Sequence, residues 1–315
     1  MIKTEVDSIN AYLTSGRTDF IVSSATKSIS GLPKINHGNM PADGGKLLFS
    51  TKEKDVFISK EPKSEKWFNK IATAKEHLNG RLRWCLWLED ATSMEIESLP
   101  LVKQRIQEVK VIRENSSRPQ LSEIPHLFAQ ITQPKDKNCV IIPRVSSENR
   151  NHLPIDFLDG KEYKVTDSFF TIATNELYIF GIISSRMHMN WMKSVGGKLE
   201  TRIQYSKNVI YNTFPFPEIN QKQKEQINLH VFEVLEEREK HSGKTLAQLY
   251  DPDKMPKGLK EAHHQLDLAI ERCYRLKPFE SDTERLEFLF KEYEKMMNKN
   301  TLLEKPKQTR KTKKA

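Results

Sequence analysis

Apolar residues recur along this chain in three rhythms, and each predicts a different kind of element. Short unbroken apolar runs predict strands: LRWCLWL (Leu82 to Leu88), CVIIP (Cys139 to Pro143) and SFFTIA (Ser168 to Ala173). Spacings of three and four predict helices. Trp67, Ile71, Ala74 and Leu78 mark one, ended by Gly80. Val102, Ile106, Val109 and Ile112 mark a second, and Leu177, Phe180, Ser184, Met187 and Trp191 a third. After Pro217 only the helical rhythm remains. Ile227, Val231, Val234 and Leu235 form one stripe, and Leu259, Ala262, Leu266, Ala269, Ile270 and Cys273 another. Leu286, Leu289, Phe290, Tyr293 and Met297 form the last, opened by Ser281-Asp282-Thr283-Glu284 as a capping box.

These rhythms predict an α+β chain: a mixed α/β domain over 46–217, then a small all-α helical domain over 218–298. Residues 1–45 read as an N-terminal arm. Its stretch GLPKINHGNMPADGG is dense in turn residues and too poor in apolar periodicity to fold alone, so it is expected to pack against something. Residues 299–315 read as a disordered basic tail.

The third rhythm, alternation, falls between Gly196-Gly197 and Pro215. On an extended strand Glu200, Arg202 and Gln204 project the same way at about 7 Å intervals. Base pairs stack at roughly 3.4 Å, so such a row spans several base edges in a groove. Arg takes guanine bidentately, Gln takes adenine, and Glu accepts from the cytosine amino group. The same alternation also fits a solvated edge strand whose charges prevent aggregation. Spacing leaves both readings open.

PRVSSENRNHLP (Pro143 to Pro154) follows a predicted strand. It presents Arg144, Ser146, Ser147, Asn149, Arg150 and His152, donors of the kind that phosphate oxygens accept from, or an ordinary polar loop. Arg186, Lys198, Tyr205, Ser206 and Lys207 complete the candidate DNA-backbone contacts. His188, beside two Met residues, is expected to pack rather than ligate. His263 and His264 are adjacent, so they point to different sides of a helix and make a poor metal pair. No metal site is predicted.

Composition narrows the class. The 315 residues should hold about two domains. The net charge is +9, of which residues 301–315 supply +5, leaving +4 for the body: a mild bias toward a polyanion. The basic tail serves either as a non-specific nucleic-acid contact or as a solubilising end. Cys85, Cys139 and Cys273 are odd in number and far apart, which argues against a disulfide framework or a zinc site. MIKTEVDS lacks the regions of a signal peptide, and the longest apolar run is too short for a membrane span. A reducing cytoplasm is expected.

Several chemistries have no motif here. No glycine fingerprint for a dinucleotide or S-adenosylmethionine follows a strand, no GxxxxGK[ST] loop exists, and the chain contains no Pro-Pro pair, hence no NPPY-type loop. No catalytic residue is assigned. The remaining enzymatic alternative is a stand-alone DNA nuclease built from Asp156, Glu162 and Lys164.

RWCLW (Arg83 to Trp87), PRVSSENR (Pro143 to Arg150), FGIISSRMHMNWM (Phe180 to Met192), YSKNVIYNTFPFPE (Tyr205 to Glu218), LAQLYDPDKMPKGLKEAH (Leu246 to His263) and Leu266-Asp267 occur in the order of a known family. From about Ile9 to Met297 the chain resembles the C-terminal part of MmeI-like type II restriction-modification enzymes and their DNA adenine-methyltransferase relatives. The resemblance implies a target recognition domain and a C-terminal helical domain, preceded by the exit of a methyltransferase domain (INAYL through GNMPADGG). It implies base reading by alternating residues just before the YS motif, here Glu200, Arg202 and Gln204. Many members carry Arg at the third place, so Gln204 implies a different base there. The family's nuclease, cofactor-binding and catalytic motifs are absent. The resemblance thus implies that S-adenosylmethionine belongs to a catalytic domain this chain lacks, with double-stranded DNA as partner and no methylation by the chain alone. Since the chain opens on Met1, it is expected to be a split product, with a methyltransferase subunit docking on residues 1–45, or a truncated relic.

Overall fold

The computed structural model describes residues 10–12 and 21–303, the last four by backbone alone. Among them three sheets carry the mixed α/β part. The first runs β1-β9-β5-β7, antiparallel throughout: β1 (Ile35–His37), β9 (Phe169–Ala173), β5 (Cys139–Pro143) and β7 (Asp156–Leu158). Every residue of β5 is buried because both faces are covered. Val140 and Ile142 face the main core, while Cys139 and Ile141 face a small cluster with Ala72, Val165 and Phe169. A strand alternates its side chains, so an unbroken apolar run is what two covered faces require.

The second sheet runs β2-β4-β3-β8: β2 (Leu48–Ser50), β4 (Arg83–Leu86), β3 (Phe68–Ala72) and β8 (Tyr163–Val165). It packs with α1 (Thr51–Lys60) and α4 (Pro100–Glu114) around a separate core of Leu47, Phe49, Phe57, Phe68, Leu86, Val102 and Val109. Three of these rings meet edge to face at 5.1 to 5.6 Å. Ser50 opens α1 through a reciprocal capping box with Glu53, and Thr92 does the same with Glu95 for α3 (Ser93–Glu97).

The helix expected across Trp67 to Leu78 does not exist as one element. Pro62–Trp67 is a 3-10 turn, Phe68–Ala72 is β3, and only α2 (Ala74–Leu78) is helical. Pairing with β4 on one side and β8 on the other outweighs the helical spacing. Gly80 does end α2. At φ 66 Gly80 takes the left-handed turn, and the Gly80 and Arg81 amides donate to His77 O and Glu76 O as a Schellman cap.

The stripe from Leu177 to Trp191 also breaks. It forms α5 (Leu177–Ser184) and α6 (Arg186–Val195), because Ser185 turns to extended backbone and its hydroxyl accepts from the His188 amide at 3.2 Å as an N-cap. The three expected final helices are α7 (Gln221–Glu239), α9 (Lys257–Tyr274) and α10 (Asp282–Leu303), and a short α8 (Leu246–Leu249) forms within the connection between the first two. The Ser281 hydroxyl accepts from the Glu284 amide, but the Glu284 carboxylate takes the Glu280 amide, one residue before the expected box.

The main core takes no notice of Pro217. Phe180, Ile183 and Trp191 lie in one cluster with Ile227, Val231, Leu266, Ile270 and Phe290, continuous with Val140 and Ile172 of the first sheet. The arm is equally integrated. Its β1 supplies an edge strand, Ile29 N donates to Asn212 O at 2.8 Å, and Tyr211 Oη donates to Pro33 O at 2.7 Å. The arm is thus tied to this chain's own residues at Ile29, Pro33 and Ile35–His37. Residues 304–315 of the expected tail lie outside the described residues, and α10 runs past residue 298.

Candidate nucleic-acid interface

The third sheet is a projecting hairpin stitched to the basic loop: β10 (Gly197–Leu199), β11 (Arg202–Gln204) and β6 (Val145–Ser146), in that order. Leu199 pairs with Arg202, so Glu200 and Thr201 form a two-residue turn. This corrects the expected row of three. Glu200 sits at the tip with φ 58 rather than on a strand, while Arg202 and Gln204 flank the buried Ile203 and share an exposed face. Arg202 Nη2 donates to Glu200 Oε2 at 2.9 Å, so the turn still brings Glu200 beside Arg202. Gly197 stands opposite Gln204 and leaves the space beside it open. Lys198 pairs with Ile203, on the other face, and does not join the Arg202 and Gln204 row.

Ile203 and Gln204 pair with Ser146 and Val145, which fuses the hairpin to the loop that holds Arg144 and Arg150. Arg144 is half-buried, its Nη1 donating to Asp167 O at 3.0 Å. Arg150 is half-buried too; burial lowers its pKa, opposed by the charge of Asp251. Ser147 accepts from the Asn149 amide, and Ser206 caps a π-helical turn at Lys207–Tyr211.

Three expected backbone contacts are placed elsewhere. Tyr205 is buried, and its hydroxyl meets His188 Nε2 at 2.9 Å; burial raises its pKa well above the usual phenol value. The ring lies in the main core beside Phe170 and His188. Ser146 is 2% exposed and faces Arg150 Nη1 at 3.4 Å. Arg186 is exposed but engaged in a bidentate pair with Asp282 at 2.7 and 3.0 Å, which ties α6 to α10.

One residue joins that the sequence did not single out. His37, on β1, is half-buried; burial first, then the charges of Arg144 and Lys207, lower its pKa, with Asp167 opposing. The Arg144 and Lys207 charges and the His37 imidazole, held toward its neutral form, therefore come together beside the hairpin. Nothing in the spacing links position 37 to 144 and 207; only the β1–β9 and β9–β5 pairings bring them together.

The nuclease set does not assemble. Asp156 meets His77 Nε2 at 2.9 Å and lies 3.6 Å from Arg238, Glu162 pairs with Lys70, and Lys164 is buried over the Trp87 ring. Each carboxylate or amine is engaged with a different partner. The glycine pairs do not form a cofactor loop either. Gly44 takes a turn against Ile112, and a Cβ on Gly196 would meet Met192 O at 2.5 Å at the end of α6. Among the described residues no group of three His, Cys, Asp or Glu is placed to hold a metal ion, and no helix is long and apolar enough to cross a membrane.

Comparison with known proteins places this geometry in a lineage. The model of the MmeI target recognition domain matches residues 16–218, and that of the MmeI C-terminal domain matches residues 219–301. DNA methyltransferase A of Bacillus subtilis (strain 168) is 44% identical over 297 residues, covering 93% of this chain and 33% of that protein. The structure of the type IIL restriction-modification enzyme MmeI in complex with DNA superposes with a TM-score of 0.88 at 40% identity, covering 93% of this chain and 39% of that one. The chain thus spans between a third and two fifths of the relatives it matches. Both family models together run from residue 16 to residue 301, and the chain belongs to the MmeI family, of which it holds the target recognition and C-terminal domains.

Proposed function

We propose that this chain is the DNA-sequence recognition portion of an adenine-methylating restriction-modification system. The carrying observation is the fused sheet: a hairpin that exposes Arg202 and Gln204 on one face, hydrogen-bonded through β6 to a loop bearing Arg144 and Arg150. Base-edge donors and phosphate-gripping donors then move as one rigid unit, so backbone contacts fix the register in which Arg202, Glu200 and Gln204 meet bases. Arg144, Arg150, His37, Lys207, Ser147 and Ser206 supply the backbone side, with Lys198 on the hairpin's other face. Methyl transfer, with S-adenosylmethionine, falls to a methyltransferase domain or subunit outside this chain.

Salt titration of the purified chain on duplex DNA tests the reading. Arg150→Ala should weaken binding to all sequences and lower the salt slope by about one, whereas Arg202→Ala should relax preference at a single base pair. Identical behaviour of the two variants across a panel of duplexes would refute the division of labour. Tight binding of S-adenosylmethionine by the chain alone would refute the assignment of the chemistry elsewhere.

A further inference from the structure

Asp267 on α9 is 6% exposed and joins two elements, each more than eighty residues from it in sequence. Its Oδ1 accepts from the Arg186 amide, the first residue of α6, at 2.7 Å. Its Oδ2 accepts from His152 Nε2 at 2.9 Å. His152 stands two residues beyond Arg150, at the end of the basic loop, and is itself 8% exposed. Its ring stacks on His263 with centroids 4.2 Å apart. His263 Nε2 in turn accepts from the Tyr250 hydroxyl at 2.9 Å, and Tyr250 accepts from Arg238 Nε at 2.8 Å. Arg238 closes the path by donating to Ile155 O at 3.0 Å. The segment 152–155 is therefore held at both ends by α7 and α9.

A buried carboxylate and imidazole are weak evidence for stability, since an apolar pair of similar volume often folds as well. What a hydrogen-bonded pair provides and an apolar pair does not is direction. We propose that Asp267 and His152 are positioning residues for DNA binding: through them the C-terminal helices hold the basic loop in register with the hairpin, without touching DNA themselves. This rests on the reading of that loop as a phosphate contact.

The test measures affinity and salt slope of the full chain on a duplex pool of randomised sequence, with base preference read by sequencing the bound fraction. His152→Ala should lose roughly tenfold in affinity, the scale of one charge-assisted hydrogen bond, and its salt slope should fall by about one as a phosphate contact is lost. Base preference should stay as in the wild type. His152→Gln, whose amide reaches Asp267 from the same place as Nε2, should restore both values. The double variant His152→Leu/Asp267→Leu should lower Tm, since the Arg186 amide loses its acceptor, yet below its melting range it should bind with the reduced slope and unchanged base preference. If His152→Ala does not fold, the double variant and His152→Gln carry the comparison. Wild-type affinity and slope in folded His152→Ala or in the double leucine variant would overturn the inference while leaving the DNA reading intact. A wild-type chain whose binding ignores salt would overturn both.

Discussion

Arg202 and Glu200 hold each other across the tip of a two-residue turn, Nη2 to Oε2 at 2.9 Å, with side chains 50% and 76% exposed. An ion pair this exposed is worth at most about 1 kcal/mol, so it does little for stability. Its effect is to orient the Arg202 guanidinium, while Glu200 sits in the left-handed region that disfavours a side chain. Glu200→Gly should therefore keep or slightly raise stability, since glycine takes φ 58 without strain, yet loosen base preference. Arg202→Ala should cost about 1–3 kcal/mol of discrimination at one base pair. Paired thermal melts and binding panels on single-substituted duplexes check both.

Tyr205 separates packing from recognition. Its hydroxyl is the partner of His188 Nε2, and His188 Nδ1 is buried with no partner of its own. Tyr205→Phe should cost about 1–3 kcal/mol of stability by orphaning His188 Nε2 as well. DNA affinity below the melting range should not change. A loss of affinity at constant fold would return Tyr205 to the interface.

Acid should unfold this protein through buried histidines. Burial lowers His188 to about 3 and holds His263 well below 6.5. The unfolded chain takes up a proton on each near pH 6.5, but the folded protein does not. Between about 6.5 and 3 the unfolded state binds more protons, so stability is full above pH 6.5 and falls as pH drops, by up to about 1.4 kcal/mol per unit for each ring. Urea midpoints measured on either side of pH 6.5 should show this slope, and His188→Gln should reduce it.

Gly181 sets how closely α5 approaches α7. A Cβ there would lie 2.5 Å from Ile227 Cγ2 and 3.0 Å from Val231 Cγ2. Alanine would gain up to about 1 kcal/mol of helix propensity, but crowding a packed core costs about 1–3. The clash wins, so Gly181→Ala should lower the denaturant midpoint.

Much of this fold was legible because hydrophobic rhythm reports burial. CVIIP and SFFTIA are strands, and the three stripes beyond Pro217 are helices. The misread positions are those where long-range pairing decides. Phe68–Ala72 carries a helical spacing, but two neighbouring strands claim it. The hairpin turn at Glu200-Thr201 has no Gly or Asn to announce it, so an alternating run was indistinguishable from one straight strand. Within the candidate site, donor chemistry at Arg202 and Gln204 was readable. The occupancy of Arg186 by Asp282, and the approach of His37 to Arg144 and Lys207, depend on contacts across more than ninety residues.

The central claim is that this chain selects DNA sequence. The most direct test is to incubate the purified chain with randomised duplexes at physiological ionic strength and sequence what it retains. The account predicts a defined enriched motif for the wild type, degraded at one position in Arg202→Ala. Retention of all sequences alike by the wild type would contradict it.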